Sequence, residues 1–289
     1  MVMDDIRSEM SVREALRISG IPPFLFYYRP RKRSVTRLNQ SVVEDTLRVA
    51  SERPTYGYRR VWAVLRNEGT AINPKSIRRV LRINNLSLPY AKHKGRTKSR
   101  NLFLPTGLDQ LWETDITYIP TQRGMTYLMC VKDSFTKEWQ GYNYSRSCLA
   151  SDAVMSVEDA VLRSFEGEAP EGIILRTDNG PQYNSQQFRS SMNLLSKALE
   201  YIKKHTPEDN GDIESFHNSI KTDYIWPLEF RDYGEASVAI ENAFKDYNEF
   251  RPHSSIDYLP PREFRRKFLN DWSFREANTR KLEVKINEK

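Results

Sequence analysis

Leu111–Ile119 has the sequence LWETDITYI, a run typical of a β-strand with one carboxylate, Asp115, in its middle. Burial of an unpaired carboxylate is costly, so a charge in such a run indicates a metal ion or another partner. Strand-like and helical patterns alternate after it: strands at 125–131 and 139–144, a helix at 150–165, a strand at 172–175, a helix at 185–195, a strand at 199–202 and a last core helix at 210–223. This order predicts an α/β fold with one mixed sheet between helices.

A small helical region precedes the predicted sheet. Ser41 is the expected N-cap of its first helix, and a second helix covers Tyr58–Asn67, with Gly69 just beyond its end. Asn73 and Pro74 are start signals for a third helix, whose basic residues point away from its apolar face. Two helices, a short turn and a basic helix are the order of a helix-turn-helix unit, in which the last helix lies in the major groove of DNA.

Positive charge is concentrated in the same region. Residues 29–100 contain nineteen Lys and Arg against four acidic residues, whereas the whole chain has a net charge of +7, so the rest is mildly acidic. This asymmetry indicates a polyanion as partner, of which nucleic acid is the commonest, and a basic face without a partner is the alternative. The predicted DNA contacts are Lys75, Arg78, Arg79 and Arg82 on the third helix and Lys92, Lys94, Arg96, Lys98 and Arg100 in the basic stretch after it.

Composition argues against several other classes of protein. With 38% hydrophobic and 29% charged residues, the chain is expected to be globular and not disordered. No run of eighteen apolar residues is present and the first ten residues include acids, so neither a membrane span nor a signal peptide is predicted. The expected location is the cytoplasm, in association with the nucleoid. Cys130 and Cys148 lack the spacing of a zinc site and are expected to be buried thiols.

Two more carboxylates join Asp115 in a candidate metal site. Asp178 comes where a predicted strand ends, at the edge where α/β sheets bind ligands, and Glu214 lies early in the last core helix. Mg²⁺ prefers hard oxygen ligands, and two-metal phosphoryl transfer needs carboxylates that converge from separate elements. Taken singly, Asp178 fits a turn, Glu214 a surface position and Asp115 a salt-bridge partner. Their joint arrangement is what indicates a metal site.

The three carboxylates and their surroundings resemble the DDE signature of retroviral integrases and bacterial insertion-sequence transposases. Thirty-five residues separate Asp178 from Glu214, the spacing typical of that signature. The similar blocks are WETDITYI at 112–119, RTDNGPQY at 176–183, NGDIESFH at 210–217 and YNEFRPHSS at 247–255. The likeness covers about residues 40–268 and is greatest to the second-reading-frame transposases of the IS-three family. One departure is Gly211, where the family usually has Ala; it weakens the helix beside Glu214 but removes no ligand.

The resemblance implies a fold and a chemistry. The fold is a ribonuclease-H-like integrase core, a mixed five-stranded sheet flanked by helices, preceded by a small all-α helix-turn-helix-like domain. Asp115, Asp178 and Glu214 would bind two Mg²⁺ ions, for which Mn²⁺ is expected to substitute, and catalyse DNA cleavage and 3′-OH strand transfer at the ends of an insertion sequence. No covalent enzyme intermediate is required, so Ser215 and Tyr183 are not expected to be nucleophiles.

The resemblance also implies supporting residues and partners. Lys221 would face the DNA end, and Asn179 and Asn210 would orient ligands or DNA, although Asn210 fits a helix cap equally well. His217 is expected to pack or to contact phosphate and not to bind metal. The implied partners are the terminal repeats of the element, target DNA and further copies of the chain assembled on DNA. Relatives are often fused to the product of an upstream reading frame, which leaves open whether this chain acts with such a partner.

The predicted organisation has five parts. They are a helical segment and basic linker at residues 1–37, a helix-turn-helix-like DNA-binding domain at 38–90, a basic linker at 91–104, the integrase-like catalytic domain at 105–270 and a C-terminal tail at 271–289. Two alternatives to a transposase remain open at this point. One is a ribonuclease-H-like nuclease without strand transfer, and the other is a non-catalytic, DNA-binding descendant of a transposase.

Overall fold

The computed structural model describes residues 11–20, 39–89, 102–167, 171–195, 197–202 and 211–287. The chain forms two compact units, residues 1–39 and residues 40–289. In the first unit, helix α1 spans Val12–Ser19. Ser11 caps it by accepting a hydrogen bond from the Glu14 amide, and the helix ends at Gly20, whose φ of 66° is left-handed.

The second unit contains the remaining elements. Its helices are α2 (Gln40–Glu52), α3 (Tyr58–Asn67), α4 (Pro74–Ile83), α5 (Ala150–Phe165), α6 (Gln186–Leu194), α7 (Gly211–Ile220), α8 (Tyr233–Glu249), α9 (Pro261–Asn270) and α10 (Trp272–Asn287). A π-helical segment, Lys221–Ile225, continues α7, and a 3₁₀ turn covers Ser254–Ile256. Its strands are β1 (Leu111–Thr121), β2 (Gly124–Asp133), β3 (Trp139–Ser145), β4 (Ile174–Thr177) and β5 (Ala198–Tyr201). Across the described residues, no helix has the length and apolar character needed to cross a membrane.

The five strands form one mixed sheet in the order β3-β2-β1-β4-β5. β1, β2 and β3 are antiparallel neighbours, whereas β4 runs parallel to β1 and to β5. Parallel neighbours need long connections, which here contain α5 and α6. Helices cover both faces, α5 and α6 on one and α7 and α8 on the other. The predicted α/β fold with a mixed five-stranded sheet is confirmed.

Side chains of β1 alternate between the two faces of this sheet. Trp112 packs with Val157 and Ala160 of α5, whereas Ile119 packs against α7 and α8. Asp115 has the same parity along the strand as Ile119. It therefore lies on the face that α7 and α8 cover.

Helices α2, α3 and α4 form a three-helix module with a core of its own, so the helix-turn-helix-like region is confirmed. As predicted, Asn73 caps α4 by accepting a hydrogen bond from the Lys75 amide at 2.9 Å, and Pro74 is its first residue. The prediction for the start of α2 was wrong. The helix begins at Gln40, which donates to the Glu44 side chain at 2.9 Å, so Ser41 is already helical and is not the N-cap.

The helix predicted at 210–223 is confirmed over the described residues, but its place as the last core helix was wrong. The α-helix ends at Ile220, a π-helical segment follows, and three further helices come after it. α8 buries Ile240, Ala243, Phe244 and Tyr247 against the sheet. These residues have the i, i+3, i+4, i+7 spacing of an amphipathic helix, so the sequence did carry a signal for α8.

Close packing of α5 on the sheet depends on a glycine in β3. A Cβ added at Gly141 would lie 2.5 Å from Cα of Ala160, a backbone atom that cannot turn aside. We expect Gly141→Ala to lower the free energy of unfolding by about 1–3 kcal/mol or more, as overpacking does. Gly234→Ala in α8 is the matched control, because its Cβ would meet only Asp232 Oδ1 at 3.5 Å. Urea denaturation of both variants checks this, and equal stabilities would contradict it.

Candidate active site

Asp115 lies in the middle of β1, directly opposite Cys130 of β2. Its side chain is 17% exposed, so it is shielded but still reachable from solvent. Oδ1 accepts a hydrogen bond from the Ile116 amide at 2.8 Å, and Oδ2 lies 3.5 Å from Nδ1 of His217 on α7. The strand thus presents a carboxylate oxygen to helix α7.

Asp178 comes directly after Thr177, the last residue of β4. Because Thr177 pairs with Thr114 of β1, Asp178 leaves the sheet beside Asp115. Burial raises the pKa of Asp178; a 2.8 Å hydrogen bond from the Gly180 amide opposes the rise, and the negative charge of Asp115 adds to it. The two carboxylates are therefore close enough to repel each other.

The turn after β4 is fixed by two side-chain amides. Asn179 donates to the carbonyl of Ile202, just beyond β5, and Asn184 donates to the carbonyl of Asn179 at 2.7 Å. A Cβ at Gly180 would lie 2.9 Å from Oδ1 of Asp178, so glycine is what lets this carboxylate fold back onto the backbone. The side chain of Asn179 thus holds the turn that carries Asp178.

Glu214 lies in the first turn of α7, and its side chain is exposed. His217, one turn later, is buried and faces Asp115, and its Nε2 atom has no hydrogen-bond partner among the described residues. In the described ranges, no three His, Cys, Asp or Glu side chains are arranged so that they could hold a metal ion. The structure brings Asp115 and Asp178 together and leaves Glu214 in solvent on the helix that packs against Asp115.

The basic residues predicted to contact DNA lie partly on α4. Lys75, Arg78 and Arg82 are exposed and Arg79 is half-buried, whereas Ile77, Val80 and Leu81 face the core of the module. Outside the described residues lie Lys92, Lys94, Arg96, Lys98, Arg100 and also Asn210. Apart from Lys221, the described residues predicted to contact DNA therefore lie on one face of one helix.

Lys221 is the first residue of the π-helical segment and is half-buried. It lies seven residues after Glu214, and α-helical geometry up to Ile220 keeps it near the same side of the helix. The amide of Trp226 donates to the Lys221 carbonyl at 2.8 Å, which is the i to i+5 bond of a π turn.

Models of known families match both parts of the chain. An integrase core domain family matches residues 105–207, a second integrase core domain model matches 196–261, and an HTH-like domain family matches 44–94. The transposase for insertion sequence element IS904 of Lactococcus lactis is 30% identical, over 82% of this chain and 97% of its own length. The chain belongs to the insertion-sequence transposases.

Other known proteins are similar to this transposase. Transposase InsD of the Escherichia coli insertion element IS2 is 33% identical, over 76% of this chain and 76% of its own length. Among solved structures, the HTLV-2 integrase catalytic core domain in complex with magnesium has a TM-score of 0.44 and 17% identity, over 54% of this chain and 95% of that one.

A row of alternating charges crosses the sheet of the transposase two residues before Asp115. Glu113 of β1 pairs in register with Lys132 of β2 and Arg176 of β4, and Arg176 pairs with Glu200 of β5. Nζ of Lys132 lies 2.9 Å from Oε2 of Glu113, and Nη2 of Arg176 lies 2.7 Å from Oε2 of Glu200. Each charge in this row therefore has an opposite charge beside it.

The row reaches α7 through Asp212, two residues before Glu214. Oδ2 of Asp212 lies 2.9 Å from Nζ of Lys132 and 2.6 Å from Nζ of Lys137. Burial disfavours the charged form of Lys132, but the carboxylates of Asp212 and Glu113 outweigh it and hold the pKa of this lysine above its ordinary value. These ion pairs fix the N-terminal end of α7 to the sheet.

Two residues near the site, Arg251 and His253, had no predicted role. Arg251 is buried and its Nε donates to Oδ2 of Asp223 in the π-helical segment at 2.7 Å. His253 packs edge-on against Tyr247, with ring centroids 4.8 Å apart. Burial and the nearby charge of Arg251 hold the pKa of His253 well below its ordinary value, so this ring is neutral. Arg251 and His253 thus pack against the π-helical segment and α8, which their sequence alone does not indicate.

We expect Lys132→Met to lower the free energy of unfolding by about 3–5 kcal/mol, because it removes the cation between the carboxylates of Glu113 and Asp212 and leaves the buried Glu113 only its longer, 3.5 Å contact with Arg176. Lys132→Arg keeps the charge and should cost less. Lys245→Met is the surface control: its ion pair with Glu241 is exposed, and the change should stay within about 1 kcal/mol. Urea denaturation measures the free energy of unfolding of each variant. A loss in Lys132→Met no larger than in Lys245→Met would contradict a stabilising role for the charge row.

Proposed function

We propose that this transposase binds two Mg²⁺ ions through Asp115, Asp178 and Glu214, and that it cleaves DNA and transfers the 3′-OH ends of its insertion sequence to target DNA. The observation that carries this proposal is the proximity of Asp115 and Asp178. The charge of Asp115 helps to raise the pKa of Asp178 on the sheet face that α7 covers. Functional sites often hold like charges close together in this way.

The donor set fits a divalent metal ion. Asp115 and Asp178 offer carboxylate oxygens, which are the ligands that Mg²⁺ prefers, and a cation between them would relieve their repulsion. Glu214 lies one helical turn from His217, whose ring already contacts Asp115. In this proposal, the exposed side chain of Glu214 changes rotamer to supply the third carboxylate. Bound there, two ions would activate the attacking oxygen and stabilise the leaving oxygen, and Mn²⁺ would substitute for Mg²⁺.

The attacking groups in this proposal are water during cleavage and the DNA 3′-OH during joining, so the chain supplies no nucleophile. Tyr183 fits that view. It is fully buried, its hydroxyl lies 3.3 Å from the Thr114 hydroxyl, and burial raises its pKa well above the ordinary value. The protein therefore serves to hold the ligands and the DNA in place.

We further propose that the DNA partners are the terminal repeats of the element, contacted by α4, and the target DNA. Lys221 and the basic stretch after α4 would add phosphate contacts. Pairing two ends calls for more than one copy of the chain on DNA, and an upstream-reading-frame partner is a further candidate. A cytoplasmic, nucleoid-associated location follows from such partners.

Substitution of the carboxylates tests the chemistry. We expect Asp115→Asn, Asp178→Asn and Glu214→Gln each to lower the yield of joined product about 10³-fold, equivalent to about 4 kcal/mol of transition-state stabilisation. The assay uses a labelled, pre-cleaved element-end duplex with Mg²⁺ or Mn²⁺, and EDTA should abolish joining. Glu158→Gln, which changes an exposed acid on the opposite sheet face, is the matched control.

A second readout does not depend on turnover. Mn²⁺ binding, followed by electron paramagnetic resonance, should weaken in Asp178→Asn and stay unchanged in Glu158→Gln. Cleavage without joining would favour a ribonuclease-H-like nuclease. DNA binding without any metal-dependent chemistry, with correct ends and an upstream partner supplied, would favour a non-catalytic descendant.

The proposed role of α4 has its own test. We expect Arg78→Ala and Arg82→Ala each to weaken binding to terminal-repeat DNA and to reduce the slope of log affinity against log salt by about 1, if each contacts one phosphate. Lys245→Ala on α8 serves as the control for loss of one positive charge. Fluorescence anisotropy across a salt series measures the affinity and its dependence on salt. An unchanged slope in the α4 variants would exclude α4 as the phosphate-binding helix.

A further inference from the structure

One carboxylate, Asp223, connects the three-helix module to the catalytic core. It lies in the π-helical segment directly after α7, and its side chain is 3% exposed. From the module, Thr55 Oγ1 donates to Oδ1 at 2.7 Å and Arg60 Nη1 donates to Oδ2 at 3.3 Å. From the core, Arg251 Nε donates to Oδ2 at 2.7 Å. A single buried side chain thus accepts hydrogen bonds from both parts of the molecule.

A second ion pair lies close to this one. Arg53, just after α2, donates through both of its terminal nitrogens to the carboxylate of Asp246 on α8, with Nη1 2.8 Å from Oδ2. Tyr224, the neighbour of Asp223, donates its hydroxyl to the same Oδ2 at 2.7 Å. A two-pronged arginine–carboxylate pair fixes orientation as well as distance. We call Thr55, Arg60 and Arg53, with their two carboxylate partners, the module clamp.

The far end of α3 makes a third attachment. Arg66 donates to the carbonyl of Asp257 at 2.7 Å, and Asn67 donates to the carbonyl of Tyr258 at 3.1 Å. The rings of Trp62 and Tyr258 meet edge to face, with centroids 5.7 Å apart. Attachments at both ends of α3 prevent the module from pivoting on the core.

These contacts leave the basic face of α4 exposed. The module attaches through the residues between α2 and α3 and through α3 itself, whereas Lys75, Arg78 and Arg82 of α4 remain in solvent. The same clamp holds the π-helical segment, which continues the helix that carries Glu214. The surface proposed to bind the terminal repeat is therefore connected to the catalytic helix through only a few directional bonds.

We propose that Asp223, together with Thr55, Arg60 and Arg53, is a positioning group that determines which phosphate of the element end is attacked. This inference rests on the proposed function. Because α4 of the module is the helix proposed to contact the terminal repeat, the cut position is measured from the sequence that the module binds. Successive nucleotides of one strand are about 3.4 Å apart along the axis, and a shift of that size would break a 2.7 Å hydrogen bond. The intact clamp thus permits one register only.

The test loosens the clamp from the module side. Thr55→Val/Arg60→Gln removes the hydroxyl donor and the guanidinium charge on the module side but leaves Asp223 paired with Arg251, so no buried charge of the core loses its last partner. Adding Arg53→Gln gives a triple variant. Thr55→Ser/Arg60→Lys keeps a hydroxyl and a charge and is the conservative rescue. Arg59→Gln is the matched control, because Arg59 is exposed beside Arg60 and its guanidinium lies over the Tyr58 ring.

The substrate is a duplex that carries the terminal repeat flanking the coding sequence of this chain, and cut positions are mapped to the nucleotide in Mn²⁺. We expect the fraction of cuts at neighbouring phosphates to rise about tenfold in the triple variant and less in the double variant. Terminal-repeat affinity should change by less than about twofold, since α4 is untouched. The conservative rescue and Arg59→Gln should cut as the wild type does.

A merely structural clamp would lower the yield of the triple variant without moving the cut, and that result would overturn the inference. A footprint separates this failure from a failure of the proposed function. On an Asp178→Asn background, hydroxyl-radical footprints should keep the module protection and lose the sharp protection at the element end when the clamp is loosened. If the wild type joined no ends, the proposed function would be wrong. An unchanged footprint in the triple variant would contradict the positioning role of the clamp and leave the proposed function standing.

Discussion

The ion pair between Lys132 and Glu113 sets the geometry on which the rest of the active face depends. Both side chains are almost wholly buried, and charges removed from water are stable only when oppositely charged groups surround them. This ion pair belongs to the row of alternating charges, which continues through Arg176 to Glu200 along one sheet face and gives each buried charge an opposite neighbour. A one-residue slip of any strand would move its charge to the opposite face and leave its neighbours unpaired. The row therefore specifies strand register, and with it the position of Asp115 two residues farther along β1.

In the candidate site, by contrast, like charges lie side by side. Around it charges are matched, but Asp115 and Asp178 lie close enough to repel each other, and Asp178 has no ion pair among the described residues. Such unfavourable pairs persist where the surrounding structure holds them firmly. Here the charge row and the turn fixed by Asn179 provide that support. Under the proposed function, a divalent cation bound between the two carboxylates would offset the cost of holding them together.

The sequence predicted the part of the structure that is local or marked by a chemical signal. Strand periodicity, the Asn73–Pro74 start of α4 and the carboxylate spacing each act over a few residues or have a recognisable pattern. The module clamp was not predictable, because Thr55 and Asp223 are 168 residues apart and their meeting depends on how finished elements pack. Helix α8 was missed for another reason. Its buried stripe is spaced correctly but contains several alanines and a tyrosine, so its contrast with the polar face is weak.

The same distinction applies to the candidate site. The sequence placed Asp115 within a strand and Asp178 at the end of another, as the structure has them, but the pairing of β4 with β1 that brings them together required the structure. The exposed orientation of Glu214 could not be inferred, since a helix pattern gives the face of a residue but not its rotamer or the closeness of the helix to the sheet. His217, which makes the contact to Asp115, had been assigned only to packing or phosphate contact.

The π-helical segment limits how this chain can vary in length. A π turn contains one residue more than the α-helical turn it replaces. Loss of one residue between Lys221 and Ile225 would restore α-helical geometry and rotate everything after it by about 100° relative to α7. Asp223 would then turn away from Thr55 and Arg60, and α8 would start from the wrong side of the core. Insertions and deletions in these five residues should therefore be tolerated far less often than substitutions at positions other than Asp223, and gaps between related chains should avoid this segment.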